Sequence, residues 1–327
     1  MSALLIALIV GVIFVNGFTD APSSITGVVV TRTLSYRAAV LMAAVCNLLG
    51  IAAMAFVNVS VMNTIIQLAG LSGAPPAHAV AALQATMLSI IIFSVGAWYF
   101  GIPTSESHAL MAALAASSLA AVGRMDTSGW DLVIIGLFMS LIFGLFFGMI
   151  LARILTRRLE RFSYSALSSA KIAGAAASAF MHGAQDGQKF IAVLVLAELV
   201  SSGRQAGEAV TMSGHLPALF ICALAMSLGT AMGGRRIIYN VGVKMVPMDS
   251  SQGICSDIGS AFCLLLASLA GIPMSTTHAK TSAIMGAGIG SGSKVNPGII
   301  GSMITAWIIT FPVCAALGYL LTMLFIR

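Results

Sequence analysis

The chain alternates between long apolar runs and short polar stretches. Each run approaches the about 20 apolar residues that a helix needs to cross the hydrocarbon core of a bilayer. The pattern therefore predicts an all-α integral membrane protein with about 10–12 transmembrane segments, the higher counts allowing for a missed span at 59–72. The ten clearest runs lie near residues 2–30, 38–58, 79–100, 103–123, 131–152, 166–200, 210–232, 253–271, 273–292 and 298–326.

The composition supports this interpretation and excludes the soluble classes. Apolar residues make up 59% of the 327 residues and charged residues only 8%, whereas a soluble domain has about 25% charged residues. Disorder is excluded by the same values. No basic segment precedes the first run, so we expect it to be retained rather than cleaved as a signal peptide. The five cysteines lack metal-ligand spacing and are interpreted as packing residues.

The positions of the basic residues predict the orientation of the chain. With ten crossings and an external N-terminus, ten of the sixteen Lys and Arg residues lie in inner loops and three in outer loops. Such a bias is typical of the cytoplasmic side, so we place the basic linker 153–165 in the cytoplasm of a cell that carries the protein in its plasma or inner membrane. We expect an odd number of crossings in each half, because a hairpin at 103–123 alone would put the basic stretches 32–37 and 153–161 on opposite sides.

An internal repeat divides the chain in two. Residues 101–109 and 271–279 share six of nine residues at an offset of 170, and 16–20 corresponds to 182–186 at an offset of 166. We therefore predict an N-terminal membrane repeat at 1–152, the linker at 153–165 and a C-terminal membrane repeat at 166–327. With an odd number of crossings per half, the two repeats are inverted relative to each other. Inverted repeats with broken helices are typical of secondary transporters.

The first repeated motif points to a cation site. Gly17 and Pro22 interrupt an apolar helix, which frees backbone groups that need other partners. Asp20 and Asp186 lie inside apolar segments, where a charge costs about 2.5–3.5 kcal/mol. Together with nearby amide and hydroxyl side chains they offer oxygen ligands that suit Na⁺, whereas a protonatable carboxylate suits H⁺, and both remain open. These neighbours are Asn16, Ser23 and Gln185.

The second repeated motif points to an anion site. The polar stretches 104–107 and 275–277 both follow a Gly-Ile-Pro sequence and are typical of helix starts. Helix N-termini bind anions, because their unpaired N–H groups and the positive dipole end point the same way. Two such ends facing each other would hold a tetrahedral oxyanion. Glu106 is an exception, since its carboxylate repels an anion unless it is protonated or holds a cation. His108 and His278 are interpreted as structural donors.

Simpler structural roles compete with these assignments. Asp20 and Asp186 could form buried ion pairs with Lys189 or Lys280, and Lys189 could equally pair with Asp186 or contact the anion. The sequence contains no nucleophile and base set, nucleotide motif or metal-ligand spacing, so we do not expect an enzyme. Because most basic residues lie between the apolar runs, they indicate contact with the lipid bilayer rather than with nucleic acid.

These motifs together resemble the inorganic phosphate transporter (PiT) family. The resemblance covers nearly the whole chain and is carried by the segments 16–32, 101–110, 182–189, 229–234 and 273–278. It implies a symporter of inorganic phosphate, built from inverted repeats and re-entrant helical hairpins, that works by alternating access. It implies no cofactor beyond Na⁺ or H⁺ as the coupling ion. A homodimer is compatible with this interpretation but has no support in the sequence.

The resemblance also assigns the two motifs to phosphate and cation sites. We expect the substrate to be bound by Thr104, Ser105, Ser107, Ser275, Thr276, Thr277, Asp20, Asp186 and Lys189. We expect the coupling cation at Asn16, Asp20, Ser23, Gln185, Asp186 and Glu106, with Asp20 and Asp186 as the candidate ligands of Na⁺.

Three positions depart from the family pattern. Ser23 and Gln185 each stand where the family usually has Asn, and Glu106 stands where it has a small hydroxyl residue. The first two changes could shift the cation site from Na⁺ toward H⁺. The alternative function is a sulfate permease of the same fold, but only a monoprotonated phosphate can donate a hydrogen bond to Glu106, which favours phosphate. A channel or a structural protein would need no cation gradient, and the duplicated motifs argue against both.

Overall fold

The computed structural model of the chain is a bundle of α-helices. It describes residues 1–124, 127, 129–159, 161–203, 212–246 and 248–327, and within these ranges it contains no strand. Arg204 is one of the three basic residues that the predicted topology places in outer loops, and it lies outside the described residues.

The described helices number seven in the first half of the chain and six in the second. Those of the first half are α1 (Ala3–Thr19), α2 (Thr26–Val30), α3 (Tyr36–Val57), α4 (Ser60–Leu68), α5 (Pro76–Tyr99), α6 (Glu106–Val122) and α7 (Trp130–Leu159). Those of the second half are α8 (Tyr164–Ser201), α9 (Leu216–Met232), α10 (Arg235–Tyr239), α11 (Ser250–Ala270), α12 (Thr276–Ser291) and α13 (Pro297–Ile326). A 3₁₀ turn (Ala21–Ile25) joins α1 to α2, and a π-helical turn (Asn240–Met245) continues α10.

Every predicted apolar run overlaps with one or more of these helices, and the run at 59–72 contains the short α4. The main difference lies in the basic linker. Helix α7 continues to Leu159 and α8 begins at Tyr164, so most of segment 153–165 is helical. Arg157 and Arg158 lie in the last turn of α7, where positive charges interact favourably with the helix dipole.

Within the described ranges, six helical segments are long and apolar enough to cross a membrane, or seven if the bent pair α9 and α10 is counted as one. The six are Ala3–Val30, Tyr36–Val57, Pro76–Tyr99, Trp130–Leu159, Ser250–Ala270 and Pro297–Ile326. Helix α8 has 38 residues but is not among them, and the polar stretch 185–189 lies in its middle. The protein is therefore a multi-pass helical membrane protein.

Helices α5 and α6, and likewise α11 and α12, form hairpins that return to the end of the bundle where they begin. The Ser118 hydroxyl, near the end of α6, donates to the Gly70 carbonyl just before α5 at 2.9 Å. In the second hairpin, the Gln252 amide in the first turn of α11 donates to Ser291 and Ser293 at the end of α12, at 2.8 and 2.6 Å. The predicted segments 79–100, 103–123, 253–271 and 273–292 are therefore the arms of two helical hairpins.

The tips of the two hairpins have the same local structure. Gly101 and Gly271 have positive φ angles of 68° and 71°, a conformation that glycine adopts with little strain. Ser105 and Ser275 cap α6 and α12 by accepting hydrogen bonds from the backbone N–H groups of residues 108 and 278, both at 3.2 Å. Each tip also contains a proline, which interrupts a helix and therefore separates the two arms. The sequence motif thus marks the place where each chain reversal occurs.

The two aspartate motifs differ in backbone structure. Helix α1 ends at Thr19 and passes into the 3₁₀ turn that contains Pro22, as the sequence predicts. Helix α8, in contrast, runs without a break through Asp186. The prediction of matched helix breaks is therefore wrong for the second copy. The physical reason is that segment 182–189 contains no proline, and its glycines are tolerated inside a helix.

The two halves pack against each other along most of their length. Helix α7 packs on α11 and α12, and α13 packs on α5 and α6, while α1 lies against α9 and α3 against α8. Small residues permit this close approach. A Cβ atom on Gly148 would lie 2.2 Å from the Ala283 carbonyl oxygen, and one on Gly183 would lie 2.3 Å from that of Asn47. This arrangement brings the motifs of both halves to the centre of the bundle.

Candidate functional site

The site lies where four chain segments meet inside the bundle. The N-termini of α6 and α12 come together, and the rings of His108 and His278 in their first turns are 4.3 Å apart. The end of α1 contributes Asp20 and the middle of α8 contributes Asp186, and these side chains are almost completely buried. The structure thus brings the two hairpin motifs and the two aspartate motifs into one cluster.

Asp20 is bound by hydroxyl groups from both halves of the chain. The Thr277 hydroxyl, at the start of α12, donates to Asp20 Oδ2 at 2.9 Å. The Thr19 hydroxyl lies 3.3 Å from Asp20 Oδ1. Among the described residues, no lysine or arginine forms an ion pair with Asp20. Within the described part of the chain, the contacts found for this carboxyl group are therefore hydrogen bonds.

Glu106 is the second carboxylate of this group. The Thr19 hydroxyl lies between the two carboxyl groups, 2.8 Å from Glu106 Oε1 and 3.3 Å from Asp20 Oδ1, and its single hydrogen can bond to one of them at a time. Glu106 is only 1% exposed, and its Oε2 atom has no hydrogen-bond partner within the described part of the chain. A buried carboxylate with a free oxygen requires a proton, a cation or a donor from a ligand.

Of the three buried carboxylates, Asp186 has the largest number of hydrogen-bond and ion-pair partners among the described residues. Its Oδ1 accepts from the Lys189 ammonium at 2.6 Å, and its Oδ2 accepts from Thr276 at 2.9 Å and from the Asn16 amide at 3.2 Å. His182, one helical turn earlier, places Nε2 3.4 Å from Oδ2. Asp186 is therefore held by a cation, a hydroxyl and an amide at once.

The Lys189 ammonium lies inside the cluster and is 1% exposed. Besides Asp186, it donates to the Ser107 hydroxyl at 2.6 Å and to the Met274 carbonyl at 2.5 Å. It thereby joins α8 to the tips of both hairpins. The ion pair between Lys189 and Asp186, one of the two roles open from the sequence, is present in the structure.

Lys280 is not part of this cluster. Its ammonium donates to the Asp257 carboxylate and lies 3.4 Å from the Ser178 hydroxyl. The ion pairing of Asp20 or Asp186 with Lys280, which the sequence left open, is therefore not found.

Several predicted site residues use their side chains for contacts within the protein. The Ser23 hydroxyl donates to the Asp20 backbone carbonyl at 2.7 Å. The Gln185 amide donates to the Ile272 carbonyl at 2.9 Å, and its oxygen accepts from the Ser268 hydroxyl. Gln185 therefore joins α8 to the second hairpin, while Ser23 stabilises the 3₁₀ turn. The ligation of a cation by either residue stays a prediction.

The hydroxyl residues of the tips also divide into two groups. Ser107, Thr276 and Thr277 contact the charged groups of the cluster. Ser105 and Ser275 use their hydroxyl oxygens as helix caps, and Thr104 is buried beside them. The first three are therefore the better placed to reach a ligand with their side chains.

Some members of the cluster were not predicted from the sequence. Thr19 lies between two carboxyl groups, and Asn47 lies 3.3 Å from His182 Nδ1 and donates to Thr230 at 2.9 Å. The signals that could have found them are the adjacency of Thr19 to Asp20, the spacing of four between His182 and Asp186 on one helix face, and the polar Asn47 within an apolar run.

Comparison with known proteins identifies the family. A sequence model described as the phosphate transporter family matches residues 16–318. The chain is 31% identical to a probable low-affinity inorganic phosphate transporter of Bacillus subtilis, with 95% of this chain and 94% of that protein covered. It is 30% identical to a probable low-affinity inorganic phosphate transporter of Mycobacterium tuberculosis, with 93% and 73% covered.

A solved structure agrees with the fold of this chain. A protein described as the sodium-dependent phosphate transporter superposes with a TM-score of 0.84 at 21% identity, and the match covers 99% of both chains. The interpretation of the motifs as those of a transporter and not of an enzyme is confirmed by these matches. The all-helical membrane fold and the sequence match over residues 16–318 lead to one conclusion: this chain belongs to the phosphate transporter family.

Proposed function

We propose that this protein is a cation-coupled symporter that carries inorganic phosphate across the plasma or inner membrane by alternating access. The observation that supports this most is the meeting of two helix N-termini with three buried carboxylates, those of Asp20, Glu106 and Asp186. The B. subtilis and M. tuberculosis relatives are described as phosphate transporters, which supports the choice of substrate.

The anion would bind between the starts of α6 and α12. In a helix the first N–H groups have no carbonyl partner within the helix, and Ser105 and Ser275 satisfy only the N–H groups of residues 108 and 278. The remaining N–H groups and the positive dipole ends favour an anion. The hydroxyls of Ser107, Thr276 and Thr277 lie at the same two helix starts.

The carboxylates explain why a cation must accompany the anion. With Asp20, Glu106 and Asp186 ionised, the single ammonium of Lys189 leaves the cluster with an excess of negative charge that repels phosphate. A cation or a proton that neutralises the excess raises the affinity for the anion, and by linkage the anion raises the affinity for the cation. This reciprocal effect is the thermodynamic basis of coupling.

Two coupling ions are candidates for this site. The oxygen ligands around Asp20 are of the type that binds Na⁺, and the neighbouring fold belongs to a protein described as sodium-dependent. A proton on Glu106, whose Oε2 has no partner among the described residues, is the alternative. Sulfate is not favoured as the substrate, since the relatives reported above are described as phosphate transporters.

The test is uptake of radiolabelled phosphate into proteoliposomes that contain the purified protein. A Na⁺ gradient and an H⁺ gradient are imposed separately, and sulfate is added as a competitor. We expect uptake above the equilibrium level with one of the two gradients and little inhibition by sulfate. Uptake that is independent of both gradients would contradict symport, and uptake blocked by sulfate but indifferent to phosphate would contradict the substrate.

A further inference from the structure

We infer that the Lys189 ammonium is a built-in cation that takes the place of a mobile cation in the second half of the site. The inference rests on the proposed function and deepens it. The protein then needs a mobile coupling cation only beside Asp20, where the described residues provide no paired positive charge.

The internal repeat matches Asp20 with Asp186 but gives the two aspartates different neighbours. Asp20 and Asp186 are matched at an offset of 166, so the residue three positions further on is Ser23 in the first half and Lys189 in the second. The hairpin residues Thr277 and Ser107 are matched in the same way at an offset of 170. Thr277 donates to Asp20 itself, whereas its counterpart Ser107 accepts from the Lys189 ammonium that is paired with Asp186. Among the described residues, a lysine therefore stands between aspartate and matched hydroxyl in the second half and not in the first.

The Lys189 ammonium is surrounded by oxygen atoms. Lys189 Nζ lies 2.6 Å from a carboxylate oxygen of Asp186, 2.6 Å from the Ser107 hydroxyl and 2.5 Å from the Met274 carbonyl. Carboxylate, hydroxyl and carbonyl oxygens are the ligands that hard cations take in proteins. All three surround a buried nitrogen, so the ammonium occupies a pocket with the ligand chemistry of a cation site.

The first half of the site differs from the second in the pairing of its carboxylates. The hydroxyls of Thr277 and Thr19 contact the Asp20 carboxylate, but within the described ranges no ion pair involves Asp20 or Glu106. The Ser23 hydroxyl points to the Asp20 carbonyl instead. In the first half, a mobile cation at Asp20 would supply the positive charge that Asp186 receives from Lys189.

The experiment replaces Lys189 with a neutral residue that leaves room for an ion. Lys189→Asn is purified in detergent without phosphate, and thermal unfolding is followed while NaCl replaces choline chloride at constant ionic strength. We expect the variant to unfold at a lower temperature than the wild type in choline and to regain stability as Na⁺ is added. In liposomes, the Hill coefficient for Na⁺ in phosphate uptake should rise by about one, since one more ion binds together with the anion.

Two controls separate the effect from a general loss of charge. Lys171→Asn removes another lysine of α8, whose ammonium bonds to Ser250 away from the cluster, and its response to Na⁺ should equal that of the wild type. The double variant Asp186→Asn with Lys189→Asn contains no unpaired carboxylate at this position. It should be folded in choline and gain no additional response to Na⁺.

Each outcome decides the question. If Lys189→Asn is unfolded at every Na⁺ concentration while the double variant folds, or if it is stabilised by acid but not by Na⁺, the inference is overturned. The stability measurement does not require transport. The two claims can therefore fail separately. If the wild type takes up no phosphate but Na⁺ stabilises Lys189→Asn, the proposed function is rejected and the inference about Lys189 stands.

Discussion

The side chains of the cluster differ in how their charges are stabilised. Asp186 is paired with the ammonium of Lys189, one turn further along the same helix. Asp20 and Glu106 both lie near the Thr19 hydroxyl and have no paired cation within the described residues. An ionised carboxylate inside a membrane protein is costly unless it is paired. The unbalanced charge is thus concentrated at the two carboxylates of the first half.

Neutralising either aspartate should abolish coupled phosphate uptake while the protein still folds. Asp186→Asn should also lower the unfolding temperature, because it leaves the buried Lys189 ammonium without its carboxylate. Asp20→Asn and Asp186→Asn keep the shape of the side chain but remove the charge that links cation and anion binding. The measurement is gradient-driven uptake in proteoliposomes, with the elution volume on size exclusion as the test of folding. Asp131→Asn, an exposed position in the first turn of α7, is the control. Normal uptake in both site variants would exclude the two aspartates from the mechanism.

Removing the hydroxyl that bonds to Asp20 should lower transport by about ten- to hundredfold. A hydrogen bond to a charged group contributes about 1.5–3 kcal/mol, and Thr277→Val removes such a donor from Asp20 Oδ2. Thr277→Ser should retain most of the uptake. Thr281→Val, one turn further along α12, is the matched control, because the Thr281 hydroxyl is buried without a partner in the described part of the chain. Equal losses in Thr277→Val and Thr281→Val would contradict a specific role.

At the level of elements, the hairpins and the long helices determine where these side chains lie. Helix α8 passes unbroken through the centre and bonds to the second hairpin through Gln185 and to both hairpin tips through Lys189. The hairpins present their helix N-termini rather than their sides to this region. Charged and polar groups are thereby placed where two dipole ends and one continuous helix meet.

The second hairpin contains an ion pair that the first hairpin lacks. Asp257 on α11 and Lys280 on α12 are paired, whereas an offset of 170 places Met87 and Leu110 at the matched positions of the first hairpin. All four side chains are buried. The same hairpin geometry is therefore compatible with both a charged and an apolar pair.

This comparison predicts the outcome of exchanging the pair. Asp257→Met or Lys280→Leu alone should destabilise the protein by about 3–5 kcal/mol, because each leaves a buried charge without a partner. The double variant should recover most of this loss, since an apolar pair of similar volume needs no counter-charge. Thermal unfolding in detergent compares the three proteins. A double variant less stable than both single variants would show that the ion pair itself is required.

At the level of the whole molecule, the two halves of the chain are interleaved rather than side by side. The long helix that follows each hairpin packs on the hairpin of the other half. Helix α7 packs on α11 and α12, and α13 packs on α5 and α6. Because each half of the cluster draws ligands from both repeats, a movement of one half against the other would change the contacts of both aspartates together. Such a joint change is what alternating access requires.

The predicted orientation can be tested with single cysteines. The native cysteines are buried or, for Cys46, partly buried, so reaction with a membrane-impermeant maleimide should be weak. Phe162→Cys, in the exposed linker, should be labelled only from the cytoplasmic side, and Ser72→Cys, before α5, only from outside. Labelling of both from the same side of oriented vesicles would contradict the positive-inside assignment.

The sequence by itself determined the class of the protein, the positions of the helices and the places where the chain reverses. These features depend on local properties: the length of the apolar runs, the prolines and glycines of the tips, and the hydroxyl residues that cap α6 and α12. The repeat also made it possible to name Asp20, Asp186, Glu106 and the hairpin hydroxyls as one site, because matched motifs indicated matched positions near the centre.

Only the tertiary structure decided which of these groups are partners. Thr277 bonds to Asp20 across 257 residues, Lys189 pairs with Asp186, and Lys280 pairs with Asp257. It also decided that Ser23 and Gln185 bond within the protein and that α8 is unbroken. The physical reason is that a hydrogen bond or an ion pair needs atoms within a few ångströms. For residues far apart in sequence, that distance depends on how whole helices pack, which no local pattern contains.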